Sequence, residues 1–188
     1  MTFGQEKKKF FLNEAFISIN HTIPSTDYMT GKPSFGLAGY HHFFPERRLH
    51  LLLGFEWNRT VAKYEEYNAF KTTNPYEYHI QLVMNHLSFP VALRIYINSG
   101  KQLFTNLGAS LDINVYSKKK FYQKDEGYEL FDGPGFIGFN AGLGYEFPLK
   151  KHTLILISDY KLAFNSLLGG HSNRSPIRYA RILIGLRF

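Results

Sequence analysis

The chain has 188 residues, no cysteine and a formal net charge of +7 at pH 7. This length suits one domain with a substantial core, and the lack of cysteine excludes disulfides and thiolate metal sites. The charge would suit a polyanion, but the 22 Lys and Arg residues are scattered, and 18 Phe with 13 Tyr are more typical of a β protein with interfaces than of a nucleic-acid module, so no nucleic-acid partner is expected.

Alternation of apolar and polar residues with a period of two recurs along the whole chain, and helical periodicity is hard to find. No stretch approaches the ~20 consecutive apolar residues of a membrane-spanning helix. The alternating segments, bounded by Gly, Pro, Asn and charged clusters, predict eight strands. In chain order these strands are Glu14–His21, Ser34–Phe44, Leu49–Glu66, Tyr78–Asn98, Gln102–Tyr116, Gly135–Phe147, His152–Asn165 and Arg178–Phe188.

The connections between these segments alternate in length. Short ones contain "PERR", "SGK" and "PLKK", and long ones cover residues 22–33, 68–77, 117–134 and 166–177. Antiparallel strands connected in this way have all their tight turns at one end and their long loops at the other. The pattern predicts an all-β fold, a closed antiparallel eight-stranded up-and-down β-barrel, and it is typical of bacterial transmembrane barrels.

One irregularity is expected in the fourth strand. The apolar positions shift phase between Met84 and Leu87, and Pro90 removes a hydrogen bond from the ladder. These two features predict a β-bulge near Asn85.

The apolar faces point either inward, as in a soluble lipocalin-like barrel that binds a small molecule, or outward against lipid. Three features favour the outward orientation. Seven glycines, at positions 36, 54, 108, 138, 142, 144 and 185, lie on the polar face, where a crowded lumen needs small residues. The bulky apolar residues are too large for the interior of an eight-stranded barrel. Aromatic residues also gather at two heights along the strands.

These two aromatic groups are predicted to form girdles at the two membrane–water interfaces. Phe43 and Phe147 lie beside the short turns, and Trp57, Tyr160 and Phe164 lie farther along their strands. The separation is about the length that a tilted strand needs to cross a bilayer.

The polar faces of the strands carry the charged residues that we expect to line the lumen. These residues are Glu14, Glu56, Arg94, Asp112, Glu146, Asp159, Lys161, Arg181 and Arg187. Because an isolated buried charge costs on the order of several kcal/mol, salt bridges and trapped water are expected to plug the lumen. An ion path through the same residues is the alternative, although pores need more strands.

Two stretches resemble a known family. "RILIGLRF", with Ile182, Ile184, Leu186 and Phe188 on one face, looks like the carboxyl-terminal assembly signal that the outer-membrane insertion machinery reads. "LSFPVALRIYINSGKQLFTNLGASLDINV" resembles the central hairpin of the same family. The family is that of the small eight-stranded outer-membrane β-barrels of Bacteroidota, similar to the OmpA transmembrane domain and to PorT-like barrels, and the resemblance covers most of the chain after about Asn13.

The resemblance implies an outer-membrane protein of a Gram-negative bacterium with both termini in the periplasm. Residues 1–13 would form an N-terminal periplasmic segment that remains from a processed signal region, and residues 14–188 would form the barrel domain. A plain polar cytoplasmic start is the other interpretation of the first residues. Expected partners are outer-membrane lipids and lipopolysaccharide, the insertion machinery and other envelope proteins in a complex. No cofactor is expected.

Two further motifs have functional interpretations. Lys118, Lys119 and Lys120 lie in a predicted external loop, where they would contact lipopolysaccharide phosphates or a partner protein; a solvated loop is the alternative. His171 and Ser172 are similar to the catalytic pair of the lipid A deacylases, an outer-membrane esterase group. Adjacent residues point to opposite faces of a strand, however, so a non-enzymatic protein is the prediction.

The neighbouring His41 and His42 suggest a metal site only superficially. Consecutive residues of a strand diverge, and no ligand cluster lies nearby in the sequence. We expect no metal.

Overall fold

The computed structural model of the protein describes residues 12–23, 29–44, 47–67, 77–121, 136–164 and 177–188. Within these ranges, no helix is long and apolar enough to span a membrane. Eight antiparallel strands pair in chain order, and the last pairs with the first. Their bounds are β1 Glu14–Ile23, β2 Met29–Phe43, β3 Leu49–Tyr67, β4 Glu77–Tyr96, β5 Leu103–Phe121, β6 Phe136–Pro148, β7 Thr153–Phe164 and β8 Ile177–Arg187. The predicted closed eight-stranded barrel is confirmed.

Several strands extend beyond their predicted ends. β2 begins at Met29 rather than at Ser34, and β5 continues to Phe121 rather than ending at Tyr116. The added residues break the apolar–polar alternation, yet Phe121 pairs with Ile80 on β4. Backbone hydrogen bonds extend a strand wherever a long neighbour offers partners, whatever the side chains are. The alternation therefore marks only the part of each strand that has one apolar face.

The register of β4 against β5 is irregular between Asn85 and His86, where the sequence predicts a bulge. Asn85 pairs with Tyr116 and His86 pairs with Asn114, so the extra residue is Val115 on β5. The pairing of β4 with β3 is continuous at this height. The bulge therefore belongs to β5 and not, as the sequence suggested, to β4.

The apolar strand faces point outward and the polar faces point into the barrel. Ile17 and Leu143 are 63% and 58% exposed, whereas Glu14 and Arg94 are fully buried. The alternation of buried and exposed residues along β1 runs through the whole strand. In a soluble ligand-binding barrel the large apolar side chains face the ligand in the lumen. In this barrel they cover the outer surface.

The lumen is not uniformly polar, and here the sequence interpretation is wrong. It assigned small or charged residues to the inner faces, but Phe16, Leu52, Phe104, Ile155 and Leu183 are buried inside the barrel as part of one apolar cluster. These residues share their strand faces with the luminal charges. Burial of large apolar side chains stabilises the barrel from within.

Three interior aromatic rings lie across from glycines on neighbouring strands. Phe104 pairs with Gly144, and a Cβ at position 144 would lie 2.2 Å from Phe104 Cζ. The ring therefore occupies the space that a side chain at position 144 would need. The other two pairs are Tyr40 with Gly54 and Phe16 with Gly185. Covering strand glycines with a cross-strand ring is a known way to fix register.

Candidate functional site

The charged side chains of the lumen form two networks. The first, which we call the Glu14 network, consists of Glu14, His42, Arg94, Glu146 and Arg187, near the short turns. Arg94 donates from Nη1 and Nη2 to the two carboxylate oxygens of Glu14 at 2.8 and 3.1 Å. Arg187 bridges Glu14 and Glu146, at 2.7 and 2.6 Å from Nη2. His42 Nε2 lies 2.8 Å from Glu14 Oε1.

The second, which we call the Glu56 network, consists of Glu56, Asp112, Asp159, Lys161 and Arg181. Arg181 holds Asp159 through two parallel hydrogen bonds of 2.7 and 2.6 Å and donates to Glu56 at 2.7 Å. Lys161 Nζ lies 2.9 Å from Asp112 Oδ1 and 3.4 Å from Glu56 Oε2. These contacts connect β3, β5, β7 and β8 through the interior.

All nine charged residues that the sequence assigns to the lumen lie in these two networks. The Glu14 network pairs two carboxylates with two guanidinium groups, and the Glu56 network pairs three carboxylates with two cations. Tyr40 and Tyr96 contribute hydroxyl donors to Glu56 and Glu146, respectively. Because a buried carboxylate without partners costs on the order of several kcal/mol, these additional donors matter. Tyr40 reaches Glu56 Oε1 while the cations bind Oε2, and Tyr96 shares Glu146 Oε1 with Arg94 and Arg187.

The apolar cluster contacts both networks. The guanidinium of Arg94 lies 4.2 Å from the centroid of the Phe104 ring, a distance that suits a cation–π interaction. Tyr40, which donates to Glu56, packs its ring edge-on against Phe16 at 5.6 Å between centroids. Ion pairs and apolar side chains thus both line the described part of the lumen.

Two oxygens in and beside the Glu56 network have no hydrogen-bond partner among the described residues. They are Asp112 Oδ2 and Ser110 Oγ, and both are buried. A Cβ at Gly138 would lie 2.6 and 2.5 Å from them. Gly138 thus leaves room beside two polar atoms.

Four of the five aromatic residues predicted as girdles, Phe43, Trp57, Phe147 and Tyr160, lie on the outer face. Phe147 and Tyr160 are 43% and 40% exposed, and Phe43 and Trp57 are partly exposed. Trp57 packs edge-on against Phe35 at 5.4 Å between ring centroids. The side chain of Phe164 lies outside the described part of the structure. The outward residues of the predicted assembly signal are Ile182, Ile184, Leu186 and Phe188.

The basic run does not lie in the loop that the sequence predicted: Lys118, Lys119 and Lys120 belong to β5 and pair with Val83, Leu82 and Gln81 on β4. Lys118 is partly buried, and the side chains of Lys119 and Lys120 lie outside the described part of the structure. His171 and Ser172 also lie outside it.

The structure separates His41 from His42, as expected for consecutive strand residues. His42 instead meets His50 on β3, with 3.2 Å between their Nδ1 atoms. No group of three or more potential metal ligands occurs among the described residues. The sequence interpretation missed His50, Tyr40 and Tyr96, since alternation identifies an inward residue but not its partner.

No protein-family model and no characterised protein sequence matches the chain. Among solved structures it is similar to neisserial surface protein A, with a TM-score of 0.49, 12% identity and coverage of 93% of both chains. The attachment invasion locus protein Ail of Yersinia pestis gives a TM-score of 0.46 and 14% identity over 94% of this chain and 97% of that chain. The N-terminal β-barrel domain of Pseudomonas aeruginosa OprF gives a TM-score of 0.41 and 12% identity, over 94% of this chain and 98% of that chain. These are distant likenesses, and the barrel assignment rests on the strand pairing itself.

Proposed function

We propose that the chain is a non-enzymatic integral outer-membrane β-barrel protein that acts as a structural, docking or accessory subunit through its extracellular loops. The short turns and the termini face the periplasm in this proposal. Partners are outer-membrane lipids and lipopolysaccharide, the insertion machinery that recognises the last strand, and other envelope proteins in a complex. Membership of the Bacteroidota or PorT-like group is part of the same proposal.

The observation that carries the proposal is the inversion of the usual protein interior. Large apolar side chains such as Ile17 and Leu143 are more than half exposed on the outer face, while Arg94, Lys161 and Glu56 are buried. In water this arrangement would leave a broad apolar surface uncovered. In a bilayer, hydrocarbon covers the apolar band and the closed barrel leaves no unpaired backbone edge.

The soluble ligand-binding barrel requires the opposite orientation. Its lumen would be apolar and open, but the described lumen contains two ion-pair networks and a packed apolar cluster. We therefore do not favour this alternative.

A lipid A deacylase-like esterase is a separate hypothesis, which depends on His171 and Ser172, outside the described part of the structure. The esterase hypothesis predicts that lipid A loses an acyl chain in cells that produce the protein, and that this loss is abolished by His171→Ala or Ser172→Ala. Unchanged lipid A in cells that produce the unmodified protein would count against it.

The only tryptophan of the chain, Trp57, provides a direct test of membrane insertion. The protein would be folded into vesicles whose acyl chains carry bromine at defined depths. Because Trp57 lies on the outer face near one end of the apolar band, we expect strong quenching by shallow bromines and little by aqueous acrylamide. Quenching by acrylamide alone would contradict the proposal.

A matched variant locates the same probe inside the barrel. Trp57→Phe combined with Tyr179→Trp moves the indole to a fully buried luminal position. Bromine on the lipid chains should then quench the fluorescence of this tryptophan weakly. Equal quenching of the two proteins would mean that the faces are assigned incorrectly.

The docking role and the plugged lumen need separate experiments. Affinity capture from solubilised outer membranes, followed by mass spectrometry, should identify envelope proteins that a protein with exchanged extracellular loops does not capture. In planar bilayers the purified barrel should show no steady conductance, because paired charges and apolar side chains fill the lumen. Steady ion conduction would contradict the plug.

A further inference from the structure

All three short turns of the barrel carry cations. The turn between β2 and β3 contains Arg47 and Arg48, the turn between β4 and β5 contains Lys101, and the turn between β6 and β7 contains Lys150 and Lys151. Four of these residues are exposed and Lys101 is partly exposed. Because the three turns lie at the same end, the five side chains surround that end of the barrel, and we call them the basic collar.

No exposed acidic side chain offsets the collar in the described residues of this end. Glu14 and Glu146 are the described side-chain carboxylates closest to the turns, but both are buried and bound to Arg94 and Arg187. The sequence of the three turns contains one further carboxylate, Glu46, outside the described residues. The exposed charged side chains described in the short turns are therefore all positive.

Exposed apolar side chains lie directly beside the collar. Phe44, Leu149 and Phe188 are 59%, 55% and 67% exposed. The guanidinium of Arg47 lies over the ring of Phe44, 5.5 Å from its centroid. Cations next to apolar residues are typical of the headgroup level of a bilayer, where the apolar part enters the hydrocarbon and the charge reaches the phosphates.

The backbone of Phe44 supports a role for its side chain outside the barrel. Its φ is 59°, in the left-handed region that bulky residues adopt only at an energetic cost. Glycine would make this turn without that cost. The ring is largely exposed rather than packed in the core, so an outside contact is a physical reason for an aromatic residue at this strained position.

We propose that the basic collar binds the phosphate groups of anionic phospholipids, such as phosphatidylglycerol and cardiolipin, in the leaflet at the short-turn end. This inference rests on the proposed membrane insertion. An acidic soluble protein is not favoured, because Leu149 and Phe188 continue the outer apolar face formed by residues such as Phe147 and Leu186. A lipid covers this face and meets the collar at the same time.

The experiment compares lipid binding to the purified barrel in detergent by native mass spectrometry, with phosphatidylglycerol or phosphatidylcholine as the probe. A cation near an anionic surface changes affinity about fivefold. We therefore expect phosphatidylglycerol to bind at least about tenfold more tightly than phosphatidylcholine, and the preference to shrink at high salt because the collar is exposed.

Two variants with the same change in net charge locate the effect. R47Q/R48Q/K150Q/K151Q removes four collar cations, and K32Q/R59Q/K63Q/R178Q removes four cations near the opposite end of the barrel. The first should lose the preference for phosphatidylglycerol by about tenfold or more, while the second should change it less than about threefold. If the quadruple collar variant does not fold, R47Q/R48Q and K150Q/K151Q separately should each show an intermediate loss.

Equal binding of the two lipids to the unmodified barrel, or equal losses in the two quadruple variants, would overturn the collar proposal. Membrane insertion is checked separately with phosphatidylcholine vesicles. A folded, inserted barrel changes its electrophoretic migration when it is heated. A barrel that inserts there but shows no lipid preference refutes only the collar. A barrel that never inserts into vesicles refutes the membrane proposal itself.

Discussion

Arg181 and Asp159 are directly paired across β7 and β8, and their side chains form two parallel hydrogen bonds of 2.7 and 2.6 Å in the lumen. The same guanidinium donates to Glu56 on β3 at 2.7 Å. One side chain thus connects three strands at a buried site. Burying the pair need not stabilise the barrel overall, but removing Asp159 takes two hydrogen bonds from a buried guanidinium that then keeps Glu56.

Asp159→Asn is therefore expected to lower the free energy of unfolding by about 1–3 kcal/mol, because Arg181 loses its two parallel hydrogen bonds to a carboxylate but keeps Glu56. Urea unfolding of the barrel in vesicles measures the change. Arg178→Gln, at an exposed position of β8 outside both networks, is the control and should change stability by less than about 0.5 kcal/mol. A loss in Asp159→Asn no larger than in the control would show that the pair carries little energy.

Gly144→Ala tests the contact between the interior rings and the glycines. The added Cβ would lie 2.2 Å from Phe104 Cζ, and Phe104 is fully buried. Overpacking of this kind costs about 1–3 kcal/mol, which the midpoint of urea unfolding would report. Gly100→Ala is the matched control, since its Cβ would have no heavy atom nearer than 3.6 Å. Combining Gly144→Ala with Phe104→Leu should recover part of the lost stability. If it does not, the destabilisation does not come from the contact with the Phe104 ring.

Leu143→Lys distinguishes a lipid-facing surface from a water-facing one. Leu143 is 58% exposed on β6, and a lysine near the bilayer midplane costs about 2–4 kcal/mol. We expect slower insertion into vesicles and lower stability there. Leu149→Lys, at a turn where the native residue is 55% exposed, should cost about 0–1 kcal/mol. If both lysines are equally harmless, the outer face is not in contact with hydrocarbon.

Phe44→Gly and Phe44→Ala separate backbone strain from the loss of the ring. Both remove the aromatic side chain, but alanine keeps the Cβ that disfavours φ near 59°. The glycine variant should be more stable than the alanine variant by about 1 kcal/mol. Thermal or urea unfolding in detergent compares them, and equal stabilities would mean that the turn has relaxed away from the left-handed conformation.

The sequence predicts the strands and their faces well, because both follow from a period of two. Asp159 and Arg181 are identified as luminal on that basis alone. Their shared contact with Glu56 is not predictable in this way, since it depends on which residues of distant strands reach the same height. Alternation contains no information about register across the barrel.

The interior aromatic residues show the same limit. Phe16 and Phe104 interrupt the polar faces of β1 and β5, and by themselves they look like noise in the pattern. Gly185 and Gly144 explain them, but only once the register places each glycine across from its ring. The sequence pattern makes β2 and β5 too short, because backbone pairing between strands continues where the side-chain alternation stops.

The seam between β1 and β8 has a consequence for biogenesis. Glu14 pairs with Arg187, so the contact that closes the cylinder joins segments separated by almost the whole chain. Until β8 is available, two strand edges stay unpaired and invite misassociation, and the entropy of bringing such distant segments together is lost only at the final step. Closure of the cylinder should therefore be late and all-or-none.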